Sequence, residues 1–265
     1  MKFAALAFAL AFVGVTHAHA QSQQPSDKQA QQGTQQQGQA RASSPLQQKL
    51  VPGMAKYTDD VLFGEIWPGQ GLSPRDRSLA VISVLIATNK PDQLRGHLGR
   101  ALTNGVTPME ASGVLTHLAV YSGWPNAVSA LEVYDKVYTE RNIDFAALQA
   151  DLQPLSPASS DSATAEAVTN QFGAVAPKFA DLNNRFVFGD LWTRSDLSVR
   201  DRSLVTIATL TATGDIDLLE PYLRRGVEAG LTRDEIAEAL THLGFYAGWG
   251  KTTRALAVVT KTLGG

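Results

Sequence analysis

Apolar residues recur along most of this chain at spacings of three and four, the period of an amphipathic helix, and nowhere in the sustained alternation of a half-buried strand. Val51, Met54, Tyr57, Val61 and Leu62 predict a first helix over 50–64, followed by a loop through Trp67, Pro68 and Gly71. Ser73 and Pro74 then supply an N-cap and a proline in the first helical position. Asp76 places negative charge near the positive helix end, so a helix is predicted over 74–88. Pro91 opens the next, and Asn104-Gly105 ends it with a residue suited to the left-handed C′ conformation. Thr107-Pro108-Met109-Glu110 has capping-box spacing. The helix it begins reaches Ser122, and Gly123 interrupts before a last helix over 124–138.

This block then occurs a second time. Adding 125 to each position of 63–124 gives 188–249 without insertion or deletion, and 28 of the 62 positions are identical. Among them are Gly64/Gly189, Trp67/Trp192, the run Arg75-Asp76-Arg77-Ser78-Leu79 with its copy at 200–204, and Thr116-His117-Leu118 with its copy at 241–243. Ser198, Ala229-Gly230 and Thr232 with Glu235 reproduce the caps and stops. A period this long means two folded units, since solenoid repeats run roughly 20 to 50 residues. The predicted fold class is all-α, with two tandem multi-helix domains: copy one over 49–145, copy two over 165–265, and a linker over 146–164 containing Pro154 and Pro157.

The two ends change the picture of where the chain works. Lys2, the apolar run Phe3 to Val15 and Ala18-His19-Ala20 have the order of a secretory signal peptide over 1–20, which predicts a periplasmic or secreted protein starting at Gln21. The apolar run is shorter than the ~20 residues that span a bilayer, so no membrane association is expected after cleavage. Residues 21–48 hold 12 glutamines and read as a disordered tether, too poor in apolar surface to offset the entropy of ordering. The formal net charge is −2, with both signs interspersed, which gives no reason to expect nucleic acid as a partner. There is no cysteine, which excludes thiol catalysis, disulfide exchange and thiolate metal sites.

Three spaced motifs carry a resemblance. Leu72-Ser73-Pro74-Arg75-Asp76-Arg77-Ser78-Leu79, Asn104-Gly105-Val106-Thr107-Pro108-Met109-Glu110 and His117-Leu118-Ala119-Val120-Tyr121-Ser122-Gly123-Trp124-Pro125, with His97 between the first two, resemble the carboxymuconolactone decarboxylase family. The resemblance implies two tandem carboxymuconolactone-decarboxylase-like domains, assembly as a homotrimer or other homo-oligomer, and pockets near subunit contacts. One branch of that family, of the alkylhydroperoxidase D type, uses C-x-x-C-x-x-x-H. Here those positions fall on Lys90, Gln93 and His97, and in copy two on Asp215, Leu218 and Tyr222, so thiol peroxidase activity is not expected. The other branch decarboxylates a carboxylated lactone without a cofactor, and its members keep the histidine found here as His97.

Such a reaction needs a cation to place carboxylate, donors for a developing enolate-like oxygen and an acid to protonate carbon. The candidate catalytic residues are therefore His97, His117 and Tyr121, the last two sharing a helix face at a spacing of four. Arg77, Ser78, Trp67 and Trp124 are the candidate substrate-binding residues, Arg77 for its permanently charged fork. Each has a plain structural reading as well: a hydrogen-bonded core histidine, a packed Gly-Trp corner, an arginine in an ion pair between copies. Glu110 and Glu235 are fully accounted for as capping residues. Neither a cofactor nor a metal is expected, because the histidines and carboxylates lack metal-ligand spacing. The expected function is decarboxylation of a small carboxylated lactone or related enolisable acid, with a non-catalytic oligomeric binding or scaffold protein of the same fold as the alternative.

Overall fold

The computed structural model describes residues 41–159 and 161–264, and every regular element among them is helical. The leader expected over 1–20 and the tether as far as residue 40 lie outside the described residues. Copy one comprises α1 (Pro45–Leu50), α2 (Pro52–Tyr57), α3 (Pro74–Ala87), α4 (Pro91–Thr103), α5 (Pro108–Tyr121) and α6 (Trp124–Glu140). Copy two comprises α7 (Asp161–Phe172), α8 (Pro177–Leu182), α9 (Val199–Thr213), α10 (Leu219–Glu228), α11 (Arg233–Ala247) and α12 (Trp249–Leu263).

Two elements depart from the pattern reading. The last residues of the expected tether are helical: Ser44 forms a capping box with Gln47, and Ser43 donates to Asp59 through its backbone N–H (2.7 Å) and its hydroxyl (2.8 Å). Local capping there supplies what apolar content does not. The linker is likewise shorter than 146–164. Helix α7 begins at Asp161, a buried carboxylate paired with Arg225.

The predicted first helix also changes form, α2 running on as a π-helix over Thr58–Ile66. The Trp67 N–H closes its wide turn on the Leu62 carbonyl at 2.9 Å, five residues back. Gly64 permits this, because a Cβ there would lie 2.8 Å from the Asp59 carbonyl oxygen. Copy two repeats the arrangement with a π-helix over Asn183–Phe188 and Gly189. These widened turns deliver Trp67 and Trp192 to the interior.

Helices α3 and α9 form the centre and pack against each other. Each is buried without interruption for a dozen residues, from Asp76 to Ala87 and from Asp201 to Ala212, as befits helices that are apolar or small on all sides. The Ser73 and Ser198 side chains cap them as expected, accepting from Asp76 N–H and Asp201 N–H. Helices α5 and α11 each lie across both central helices, so each copy contributes one helix to the other's core. Helix α4 packs on α3 and α6, and α10 on α9 and α12. Residues 42–265 consequently form one compact unit.

Charge joins the copies at the helix starts. Arg75 forks onto Asp201 (3.2 and 2.7 Å) and reaches Glu110 (2.6 Å), while Arg200 reaches Asp76 (2.9 Å) and Glu235 (2.8 Å). Asp76 and Asp201 are buried, so these pairs are a structural tie between copies. Among the described residues no helix is long and apolar enough to cross a membrane.

Candidate active site

The interlacing of helices fixes which side chains meet. Helix α11 carries His242 and Tyr246 from copy two to the tryptophan of copy one, and α5 carries His117 and Tyr121 from copy one to the tryptophan of copy two. Two clusters related by the duplication result, each built from both copies.

In the first cluster Trp67 stacks on Phe63 (6.0 Å) and His97 (5.9 Å) and meets His242 edge-on (4.7 Å). Its Nε1–H donates to the Tyr246 hydroxyl at 3.0 Å, and Tyr246 stands edge-on to both His97 (5.3 Å) and His242 (5.4 Å). Because Tyr246 accepts from Trp67, its own proton is free to be donated. Beneath them the wholly buried Arg77 donates through Nη2 to Glu238 Oε1 (2.6 Å) and the Gly69 carbonyl (2.9 Å). At the rim the Arg100 guanidinium lies over the Phe63 and Trp67 rings, 5.1 and 4.9 Å from their centroids.

The second cluster has the same plan and is closed on itself. Tyr222 replaces His97, stacks on Trp192 (5.9 Å) and shares a hydrogen bond with Tyr121 (3.0 Å), which also accepts from Trp192 Nε1 (2.8 Å). Arg202 reaches His117 Nδ1 at 3.3 Å; arginine can only donate, so the imidazole proton sits on Nε2 and is given to Thr206 Oγ1 at 2.8 Å. Arg202 also donates to the Arg194 carbonyl (2.9 Å) and to Asp196. Arg225, the counterpart of Arg100, is buried over Trp192 (4.0 Å) and neutralised by Asp161.

The contrast lies chiefly in the imidazoles: His117 is paired at both nitrogens, and the second cluster leaves Arg202 Nε and Arg225 Nε without a partner. Arg77 Nε and Nη1, His97 Nδ1 and both ring nitrogens of His242 are buried without a hydrogen-bond partner in the protein. Leaving such atoms unpaired costs about 1–3 kcal/mol each, so a concentration of them in one place is the mark of a site that meets a polar ligand. One cause is visible in the sequence: Val81 stands where Thr206 stands in the other copy, so His242 lacks the hydroxyl that His117 has.

Burial sets the charges. It lowers the His97 pKa to about 4, with the nearby Arg100 charge adding to the effect, and lowers that of His242 to about 3, with Arg77 and His97 adding. Burial raises Tyr246 to about 12. At neutral pH the first cluster thus holds two neutral imidazoles, a protonated phenol and two guanidiniums. His117 is likewise driven well down by burial and by Arg202, and Tyr121 well up by burial.

Of the residues singled out by sequence, Trp67, Arg77 and His97 therefore come together, and His117 and Tyr121 do not join them. The expectation of one pocket holding His97, His117 and Tyr121 is corrected by the crossing of α5 into the core of copy two. Ser78 donates to the Pro74 carbonyl (2.8 Å) and accepts from Asn104 (2.9 Å), holding the start of α3 to the end of α4. Trp124 is 63% exposed at the start of α6. His242, Tyr246, Glu238 and Arg100 were missed. The signal for His242, Tyr246 and Arg100 was the identity of the pairs His117/His242, Tyr121/Tyr246 and Arg100/Arg225; Glu238, which stands where copy one has Gly113, had no such signal. Among the described residues no group of histidines and carboxylates has the arrangement of a metal site.

Comparison with known proteins gives this architecture its kinship. The model of the family described as "Carboxymuconolactone decarboxylase family" matches twice, over 52–136 and 177–261. This chain belongs to the carboxymuconolactone decarboxylase family. It is 36% identical over 81 residues to the 4-carboxymuconolactone decarboxylase of Acinetobacter baylyi, covering 31% of this chain and 60% of that protein. It is 32% identical over 78 residues to the nitrosuccinic acid decarboxylase of Metarhizium robertsii, covering 29% of this chain and 54% of that one. An uncharacterized 15.0 kDa protein of Paracoccus denitrificans is 30% identical over 98 residues, 36% of this chain and 72% of the relative. The chain thus spans little more than half the length of the two named decarboxylases that it matches.

Proposed function

We propose that this protein is a cofactor-free decarboxylase of a small carboxylated lactone or related enolisable acid, and that the chemistry belongs to the His97 cluster. The observation that carries the reading is the set of unpaired buried donors and acceptors on Arg77, His97 and His242, set against a second cluster whose histidine and tyrosines are paired and which leaves Arg202 Nε and Arg225 Nε without a partner. Kinship to proteins named for decarboxylating 4-carboxymuconolactone and nitrosuccinic acid supports the reaction class. Both names describe acids with an electron-withdrawing group to receive the electrons that carbon dioxide leaves behind.

In this mechanism the rim guanidinium of Arg100 attracts the anionic substrate, while Arg77, its charge balanced by Glu238, offers its free N–H groups. The bond between carbon and the departing carboxylate breaks, its electron pair moves into the conjugated carbonyl or nitro group, and carbon dioxide leaves. The resulting enolate-like oxygen is stabilised by donors already fixed in a site poor in water, the free Arg77 N–H groups and a His242 N–H. The carbanion then takes a proton at carbon. His97 is neutral in the free protein, but a bound anion beside it favours the imidazolium, so the substrate itself recruits the acid that completes its turnover.

The leader-like first 20 residues support export, and with it a substrate met outside the cytoplasm. Homo-oligomer formation, with a trimer expected, is supported by the exposed stripe Trp124, Val128 and Leu131 along one face of α6. The non-catalytic reading is favoured for the second cluster, whose histidine and tyrosines are paired internally. The direct test is to incubate the purified protein with carboxymuconolactone, nitrosuccinate and a panel of unsaturated and β-keto acids while following carbon dioxide. Release from at least one acid is expected, and no release across the panel from folded protein sinks the decarboxylase reading.

A further inference from the structure

On the far side of α4 from the helical centre, a groove of about 490 Å³ opens between α4 and the end of α6. A volume of that size suits a small organic molecule. Three arginines line it, Arg95, Arg100 and Arg141, with Glu140 the one acid among its described lining residues. Arg95 and Glu140 pair at 2.5 Å, leaving two guanidiniums without a carboxylate among the described residues. Arg141 is held in place rather than trailing in solvent: its Nη2 donates to the Gly99 carbonyl (2.6 Å) and to Thr103 Oγ1 (3.0 Å). A guanidinium fixed in this way has already lost much of the side-chain freedom that ligand binding would otherwise cost.

The floor of the groove is formed by glycine. Gly96 and Gly99 lie inside α4, where each costs up to about 1 kcal/mol relative to alanine. Packing does not call for the first of them, since a Cβ at Gly96 would meet nothing within 4 Å. What the missing side chain does is keep the space between the arginines open. The duplicate provides the control. In copy two the positions of Arg95, Gly96, Gly99 and Arg100 are Glu220, Pro221, Arg224 and Arg225, where Glu220 pairs with Arg224 (2.9 Å) and Arg225 with Asp161. The cationic groove lies on the copy that has His97, and Arg100 is the wall the two share, lining the groove while lying over Trp67.

We propose that the groove between α4 and α6 is a binding site for a small polycarboxylate, with Arg141 and Arg100 as its carboxylate ligands. The assignment rests on the decarboxylase reading only for its purpose, which is to hold the non-reacting carboxylates of the substrate beside the His97 cluster; binding itself stands apart from turnover. The probe is tricarballylate, titrated calorimetrically into the full chain at low salt and neutral pH. Saturable binding is expected, weakening as salt is added. Arg141→Ala should weaken it on the order of tenfold, the loss of a charge-assisted fork. Gly96→Glu should do the same by placing an anion in open space without removing a contact, in a variant whose helix propensity is improved.

His97→Gln should leave tricarballylate affinity unchanged within about twofold, because the groove ligands are intact. Tricarballylate binding with no carbon dioxide from any acid would remove the decarboxylase reading and keep the groove. Absence of saturable binding to the wild type, equal affinities for tricarballylate and inorganic phosphate, or indifference to both Gly96→Glu and Arg141→Ala would each overturn the proposal.

Discussion

The histidines of both clusters are neutral for one physical reason, the cost of moving an imidazolium out of water, and this ties the chemistry of the site to the stability of the fold. In the unfolded chain each titrates near 6.5, whereas in the folded protein His97 does so at about 4 and His242 at about 3, with His117 also well below its ordinary value. Between those values the unfolded state binds more protons, so the stabilisation is complete above about pH 6.5 and is lost as pH falls toward the folded values. For the two fully buried histidines, His117 and His242, the loss should reach about 1 kcal/mol each by about pH 5.5. Urea unfolding at about pH 7.5 and about pH 5.5 checks this in a range above most carboxylate titrations, and His242→Gln should remove its share of the difference. A stability unchanged between the two would show that these histidines are not buried neutral.

At the scale of elements, the two buried arginines show how one fold satisfies the same need in two ways. Arg77 takes its carboxylate from Glu238 on α11, with Gly71 in the facing loop; Arg202 takes it from Asp196 in the loop, with Gly113 in the facing helix. Each glycine is where the other copy puts its acid. A Cβ on Gly71 would come within 3.1 Å of Glu238, and one on Gly113 within 3.1 Å of Asp196, so an acid on one side leaves no room for a side chain on the other. Glu238→Gly should destabilise the protein by about 2–4 kcal/mol, at or below the range for a wholly buried pair because 29% of the glutamate side chain stays accessible. Adding Gly71→Asp should recover part of that loss, while Gly71→Asp alone should destabilise by clash with Glu238. A thermal-denaturation cycle measures the coupling, and a double variant no more stable than Glu238→Gly would show that the loop and helix acids are not interchangeable.

The caps, breaks and duplication were legible in the sequence because they depend on residues a few positions apart: Ser73, the Thr107–Glu110 box and Gly105 all act as their spacing predicts. The orientation of Arg77 inward and Arg75 toward the other copy was not legible, since neighbouring residues on a helix point apart and only the partner helix decides which is buried. The same limit hid the composition of the site. His97 could be singled out from the resemblance and Trp67 from the duplication, but the choice between His117 and His242 as their neighbour depends on α5 and α11 crossing into the opposite copy, through contacts such as those 71 and 179 residues apart in sequence. The π-helical widening at Thr58–Ile66 also escaped the periodicity, because one extra residue in a turn shifts a three-and-four pattern too little to break it.

For the whole molecule, duplication followed by divergence has produced two clusters of one plan with different fates. One keeps His97, imidazoles with unpaired nitrogens and an exposed cation at its rim; the other has Tyr222, a paired histidine and paired tyrosines, and a rim cation sealed by Asp161. On the proposed function the chain has one working site, to which the second copy supplies His242 and Tyr246. The measurement that bears on this most directly is the rate of carbon dioxide release from the most rapidly turned-over acid by the wild type, His97→Gln and Tyr222→Phe, each verified as folded. His97→Gln should lose on the order of 10²- to 10⁴-fold, the usual worth of a general acid, and Tyr222→Phe should stay within about threefold of the wild type. Equal loss in the two variants, or a His97→Gln protein as fast as the wild type, would contradict the assignment of the chemistry to the His97 cluster.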